Sequence, residues 1–313
     1  MPRTAKDAEA GSVEVRGLTK RYRDVVAVDD LTFTVEPRCV TGFLGPNGAG
    51  KTTTLRMLLD LAAPTAGTAT INGRSYRELD EPAKVVGAML DESGAHRGRS
   101  GRDHLRIQCA AGGLPRRRAD EMLDFVGLAR AGRRPYGEYS FGMRQRLGVA
   151  QAMLGDPDVL ILDEPANGLD PEGIVWMREL LRTFAAEGRT VLVSSHQIAE
   201  VEQTVDNLVI INHGRLVAEG STSEVIAGLR QDPRIRVRVA HPAVLAAALV
   251  AAGATVTADP PDSGGALLVT GMPAAGVSAL AGSHGGALYE LTEERPDLEQ
   301  TFLHLTRGEA TIR

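Results

Sequence analysis

Residues 39–62 read "CVTGFLGPNGAGKTTTLRMLLDLA", and the order of residue types in them decides the fold. An apolar run from Val40 to Leu44 stops at Gly45, and a helical pattern begins at Lys51, with Leu55, Leu58, Leu59 and Ala62 on one face. Between them, Gly45-Pro46-Asn47-Gly48-Ala49-Gly50-Lys51-Thr52 matches G-x-x-x-x-G-K-[ST] with strand before and helix after, the context this motif requires. The chemistry needs these types. Glycines let the backbone wrap so that successive N–H groups converge on phosphate oxygens, and the helix N-terminus adds a favourable field. Lys51 then reaches the β- and γ-phosphates, the Thr52 hydroxyl ligates Mg²⁺, and Thr53 follows in the same turn.

Two further strands end on polar residues. "DVLILDEP" (158–165) is a continuous apolar run closed by Asp163 and Glu164, and "RTVLVSSH" (189–196) ends at His196. Buried apolar strands alternating with helices predict an α/β fold with a mostly parallel sheet covered on both faces. Ligands of such sheets sit beyond the carboxyl ends of the strands, where these polar tails fall. Asp163 is placed to hold Mg²⁺, directly or through water, and Glu164 to orient or deprotonate an attacking water. His196, on the same edge, is expected to touch a γ-phosphate.

Composition narrows the classes. Of 313 residues, 43% are hydrophobic and 24% charged, as in an ordinary soluble globular protein. A net charge of −5 supplies no global basic field, so no nucleic-acid partner is expected. The arginine run at 116–118 has no interleaved aromatics and reads as a solvated helix face. Cys39 and Cys109 lack metal-ligand spacing and read as buried free thiols of a reducing compartment. The first residues lack the apolar core of a signal peptide, and no run of about 18 apolar residues occurs, which predicts a cytoplasmic chain.

The chain divides by pattern. Residues 1–11 read as a flexible tail and 12–228 as the main α/β domain, with a helical subdomain near 92–155 that opens on the Ser100/Asp103 capping box. After "GSTSEVIAGL" the composition shifts. A strictly alternating "RIRVRVAH" begins a β-α-β-β-α-β order over 232–307, a small split-βαβ domain closing on the helix "DLEQTFLHLT". No catalytic constellation falls in it.

"YSFGMRQRL" (139–147) opens a helix with Ser140 and free backbone N–H groups that the chain does not obviously satisfy. The ordered set of P-loop, "YSFGMRQRL", "LILDEP", "ANGLD" and "SSH" resembles the ATP-binding-cassette (ABC) ATPases over roughly residues 12–228. The resemblance implies a P-loop NTPase cassette: a RecA-like parallel-sheet core, an antiparallel β subdomain and a helical subdomain. It implies ATP and Mg²⁺ as cofactors, and a second copy of the chain in a head-to-tail dimer over two ATP. Ser140 and Gly142 then contact the γ-phosphate held by the partner's P-loop. Tyr22 is similar to the aromatic that stacks on adenine, and Asp170 to the loop that crosses to the other subunit. Phe141 and Met143 replace the signature's usual glycine and glutamine, a change that leaves the serine, the N–H groups and the slim residue 142 in place.

One cassette, no membrane span and a C-terminal appendage are similar to the ATPase subunits of bacterial drug- and antibiotic-resistance exporters. That implies a separate multi-span membrane permease subunit and a place on the cytoplasmic face of the membrane. The alternative, a soluble ABC ATPase acting on ribosomes or nucleic acid, usually has two cassettes or a long coiled-coil insertion, and neither is present.

Asp91 stands where the family usually has a glutamine that touches Mg²⁺ and relays to the membrane partner. A carboxylate there attracts the metal and repels phosphate, and one unit-charge pair is worth about 3 kcal/mol at ~5 Å and an effective dielectric of about 20. Because the two oppose, Asp91→Gln is expected to change transport coupling more than ATP affinity. Loss of ATP binding in a direct titration would instead make Asp91 a metal ligand.

Overall fold

The computed structural model describes residues 11–90, 94–198, 204–229, 234–258 and 266–294. Asp91, Glu92 and the helix expected at 297–306 lie outside the described residues. The chain divides into two compact units, the first running through Val225 and the second beginning at Ile226.

In the first unit, β1 (Val13–Tyr22) and β2 (Val25–Val35) form a hairpin, and β3 (Val40–Leu44) runs into α1 (Lys51–Leu58). The next strand, β4 (Ala66–Ile71), pairs with β1 to complete an antiparallel sheet of order β2-β1-β4. Alternating burial along β1 and β2 turns Val13, Val15, Leu31, Phe33 and Val35 inward. Phe33 stacks on Phe43 of β3 with ring centroids 5.2 Å apart, which joins the antiparallel sheet to the central one in one apolar core.

A short α2 (Pro82–Val85) leads to β5 (Val86–Met89). Three helices follow: α3 (Gly101–Ala111), α4 (Arg117–Phe125) and α5 (Phe141–Ala152). The Ser100 hydroxyl accepts from the Asp103 N–H at 3.1 Å and so caps α3. The chain re-enters the central sheet at β6 (Val159–Leu162), crosses by α6 (Pro171–Ala186) to β7 (Thr190–Ser195), and closes the unit with the antiparallel pair β8 (Asn207–Asn212) and β9 (Arg215–Ser221). The six-stranded order is β5-β6-β7-β3-β8-β9, parallel except for β9. All residues of β3, β6 and β7 are buried, because helices and the second sheet cover both faces. This order makes β6, β7 and β3 neighbours, so the residues after each strand share one edge.

After α7 (Thr222–Leu229), the second unit runs β10 (Arg234–Val239), α8 (Pro242–Ala251), β11 (Thr255–Ala258), β12 (Leu267–Thr270), α9 (Ala274–Leu280) and β13 (Leu288–Glu294). Its sheet, of order β11-β12-β10-β13, is antiparallel throughout. Ile235, Val237 and Val269 pack with Leu245, Leu249 and Val277 of the two helices. Among the described residues no helix is long and apolar enough to cross a membrane.

Within the helical subdomain, His104 of α3 is 2% exposed, with Nε2 2.7 Å from the Gln151 Oε1 of α5. Burial holds its pKa below the ordinary 6.5; the Gln151 bond opposes this and the charge of Arg99 adds to it. Below pH 6.5 the unfolded chain therefore takes up a proton that the folded one refuses, and stability falls with pH; above 6.5 the effect vanishes. Thermal unfolding between pH 7.5 and 5.5 is expected to show this loss, at most about 1.4 kcal/mol per pH unit, and His104→Leu to flatten it. An unchanged slope would assign the loss to other groups.

Candidate nucleotide site

The loop between β3 and α1 is braced by contacts with its own and neighbouring backbone. The Ala49 N–H donates to the Pro46 carbonyl at 3.1 Å, closing a turn in which Gly48 (φ +84°) and Gly50 (φ +104°) are left-handed. A methyl group on Gly50 would lie 2.5 Å from the Ala27 carbonyl oxygen, so only glycine fits. From the other side, the Gly214 N–H at the β8–β9 turn donates to the Ala49 carbonyl at 2.9 Å. Lys51 is buried, and its Nζ donates to the Gly45 carbonyl at 2.6 Å and lies 3.1 Å from Glu164 Oε1. A cavity of about 260 Å³ opens here, lined by Ala27, the loop residues, Glu164 and Asn167.

The acids after β6 meet this loop. The Thr52 hydroxyl donates to Asp163 Oδ2 at 2.6 Å, and the Ser194 hydroxyl donates to Asp163 Oδ1 at 2.5 Å. Asp163 is 6% exposed, so these two donors offset much of the cost of burying its charge. Ser194 also accepts the Glu164 N–H at 2.9 Å, which holds Glu164 at φ +49°. A left-handed non-glycine residue costs on the order of 1 kcal/mol, a strain typical of functional positions. His196 Nδ1 lies 2.7 Å from Glu164 Oε2, and Gln197 Nε2 lies 3.2 Å from His196 Nε2. With the amide as donor, Nε2 accepts, and the Nδ1–H faces the carboxylate.

Lys51, Thr52, Asp163, Glu164 and His196 therefore come together at one edge. The hydroxyl of Thr52 and the carboxylate of Asp163 form a hard oxygen set suited to Mg²⁺. Tyr22 is half exposed at the end of β1, with the Lys20 ammonium 4.9 Å above its ring, and is not among the residues lining the cavity. Ser140 corrects the expectation drawn from its helix. Its hydroxyl oxygen accepts the Met143 N–H at 3.2 Å, so the chain supplies this partner itself, although Ser140 stays exposed. Asp170 is the N-cap of α6, with Oδ1 accepting the Gly173 N–H at 2.8 Å.

Comparisons agree with this geometry. Residues 28–167 match the family described as ABC transporter. The bacitracin transport ATP-binding protein BcrA of Bacillus licheniformis is 42% identical over 210 residues, 66% of this chain and 69% of that protein. The daunorubicin resistance ATP-binding protein DrrA3 of Streptomyces coeruleorubidus is 34% identical over 310 residues, 96% of this chain and 98% of that one.

The chain belongs to the ABC transporter ATP-binding proteins.

It is an ABC ATPase, the ATP-binding subunit of a transporter, and its relatives lie in the drug- and antibiotic-transport branch. A solved ATP-binding subunit of an ABC transporter superposes with TM-score 0.62 at 29% identity, covering 69% of this chain and 92% of that one. A domain of unknown function matches residues 233–299 of this ABC protein.

Sequence reasoning singled out His196 in "SSH" and passed over Ser194, which ties Asp163 to Glu164. Only the strand register sets it level with Asp163, one residue beyond Val193, the partner of Leu162, so the sequence held no signal for it. Ser194→Ala should lower turnover about tenfold or more, with the fold kept, because the Glu164 N–H and Asp163 both lose a buried partner. Wild-type phosphate release from a folded variant would make the bridge dispensable.

Proposed function

We propose that this ABC subunit closes head-to-tail with a second copy over two ATP, hydrolyses them, and drives a separate multi-span permease that exports a drug- or antibiotic-like hydrophobic compound. The observation that carries the chemistry is Glu164, whose Oε1 is 3.1 Å from Lys51 and whose Oε2 is 2.7 Å from His196. In this reading Lys51 turns from the loop carbonyls to the β- and γ-phosphates, and the loop N–H groups around Gly48 to Thr53 cradle them. Glu164, freed on one side, orients the attacking water and accepts its proton, while His196 holds the carboxylate through its Nδ1–H and reaches the γ-phosphate only once its Nε2 has left Gln197 and carries a proton of its own. Thr52 and Asp163 hold Mg²⁺, which when bound neutralises charge developing on the phosphates.

The head-to-tail arrangement is supported by the exposed, capped N-terminus of α5, whose Ser140 and Gly142 are not among the residues that line the cavity at the chain's own phosphate loop. Ser140 and Gly142 of the second copy are the groups that complete it, with Asp170 at the same seam and Tyr22 under the adenine. The export role is supported by the bacitracin and daunorubicin relatives, and it sets the subunit on the cytoplasmic face of the membrane.

Glu164→Gln is expected to lower ATP turnover about 10²–10⁴-fold while ATP still binds and the closed dimer accumulates on gel filtration. Wild-type turnover would remove Glu164 from this role. Purification from detergent extract, with co-purifying chains weighed by mass spectrometry, tests the permease: a multi-span protein at similar abundance is expected, and its absence argues against export.

A further inference from the structure

We infer that Phe141 is a positioning residue, whose ring latches the loop 167–170 to the first turn of α5 so that the two respond to nucleotide as one body. The inference rests on the dimer reading above, in which both elements face the second subunit. Three contacts carry it. Gly168 is left-handed (φ +67°), and a methyl group there would fall 2.6 Å from two carbons of the Phe141 ring, so the ring lies directly against the glycine. Leu169 is seated between Gly142 of α5 and Gly173 of α6, whose own methyl positions would lie 3.6 and 2.9–3.4 Å from atoms of that loop. Farther along α5, the Arg146 guanidinium sits 4.3 Å over the Trp176 ring of α6 while its Nη1 donates to the Val126 carbonyl at 3.2 Å.

Phe141 remains 42% exposed, with its ring lying against Gly168. A glycine at 141 would remove the ring and leave the loop to Leu169, the Asp170 cap and the backbone bonds of Asn167 and Leu169 to the Glu164 and Ala166 carbonyls. Short loops with few apolar contacts open locally at little cost. The ring adds the missing contact and links the nucleotide-sensing end of α5 to the loop without touching ATP. Asp170, which caps α6, carries the restraint into that helix.

The test is a double-mutant cycle in the full chain with its co-purified membrane partner: Phe141→Gly, Gly168→Ala and the pair, with kcat and KM for ATP measured for each. Phe141→Gly should lower kcat about tenfold with KM changed less than about twofold, and Phe141→Leu should recover most of it. Gly168→Ala should also lower kcat, because the methyl displaces the ring and the backbone is strained. The pair should be no slower than the worse single variant, since the ring that clashes is already gone. Trp176 is the single tryptophan of this chain, so in the isolated subunit its emission reports the α5–α6 seam and should shift in Phe141→Gly without nucleotide. Losses that multiply in the pair, a KM rising in step with the fall in kcat, or unchanged emission would overturn the latch. Failure of the dimer reading would appear elsewhere, in the isolated subunit, as turnover per chain independent of protein concentration, with the emission shift intact.

Discussion

A carboxylate that leaves water must be met by donors, and at Asp163 that requirement organises the whole edge of the sheet. Thr52 reaches it from the first turn of α1 and Ser194 from the end of β7, so three separate stretches must arrive level with one another. The parallel registers deliver this: Leu162 stands beside Val193, and Leu44 beside Ser195. Sliding β7 by one residue would turn the Ser194 hydroxyl to the other face and take one of its two donors from the buried carboxylate. The apolar strands thus have a second task beyond filling the core, which is to hold a polar register at their ends.

From that anchor the rest of the site follows. Ser194 passes the constraint to the Glu164 N–H and keeps this residue left-handed, with its carboxylate between Lys51 and His196. The phosphate loop is held from two sides, by Ala27 pressed against Gly50 and by the Gly214 N–H on the Ala49 carbonyl. A loop so braced loses little further entropy when phosphate arrives, which is the physical content of preorganisation. Lys51 needs only to change partners, because its side chain already spans the loop.

The signature helix occupies a different position in this scheme. Its N-terminus is capped by Ser140 and exposed, and its face towards α6 is closed by Phe141, Leu169 and the Arg146–Trp176 pair. Substituting phenylalanine for the family's usual glycine therefore changes what the helix end can do. It gains a grip on its own neighbouring loop while the serine hydroxyl and the slim Gly142 stay where a phosphate can approach.

The sequence by itself determined the family, the P-loop, the two acids and the end of the strand at His196, because each rests on short-range chemistry: glycines that wrap, a helix that starts at Lys51, apolar runs that stop on charge. It also indicated the strand and helix order of both units, since periodicity is local. Tertiary structure decided which of those ends meet. The order β6-β7-β3 cannot be read from spacing, and without it Ser194 is one buried serine among several and Phe141 an exposed oddity. The cap that Ser140 makes with the Met143 N–H was likewise not legible in the sequence, because a cap closes only when the backbone turns back on the side chain. Contacts between residues far apart in the chain depend on register and packing, and those are properties of the folded sheet, not of any stretch of sequence.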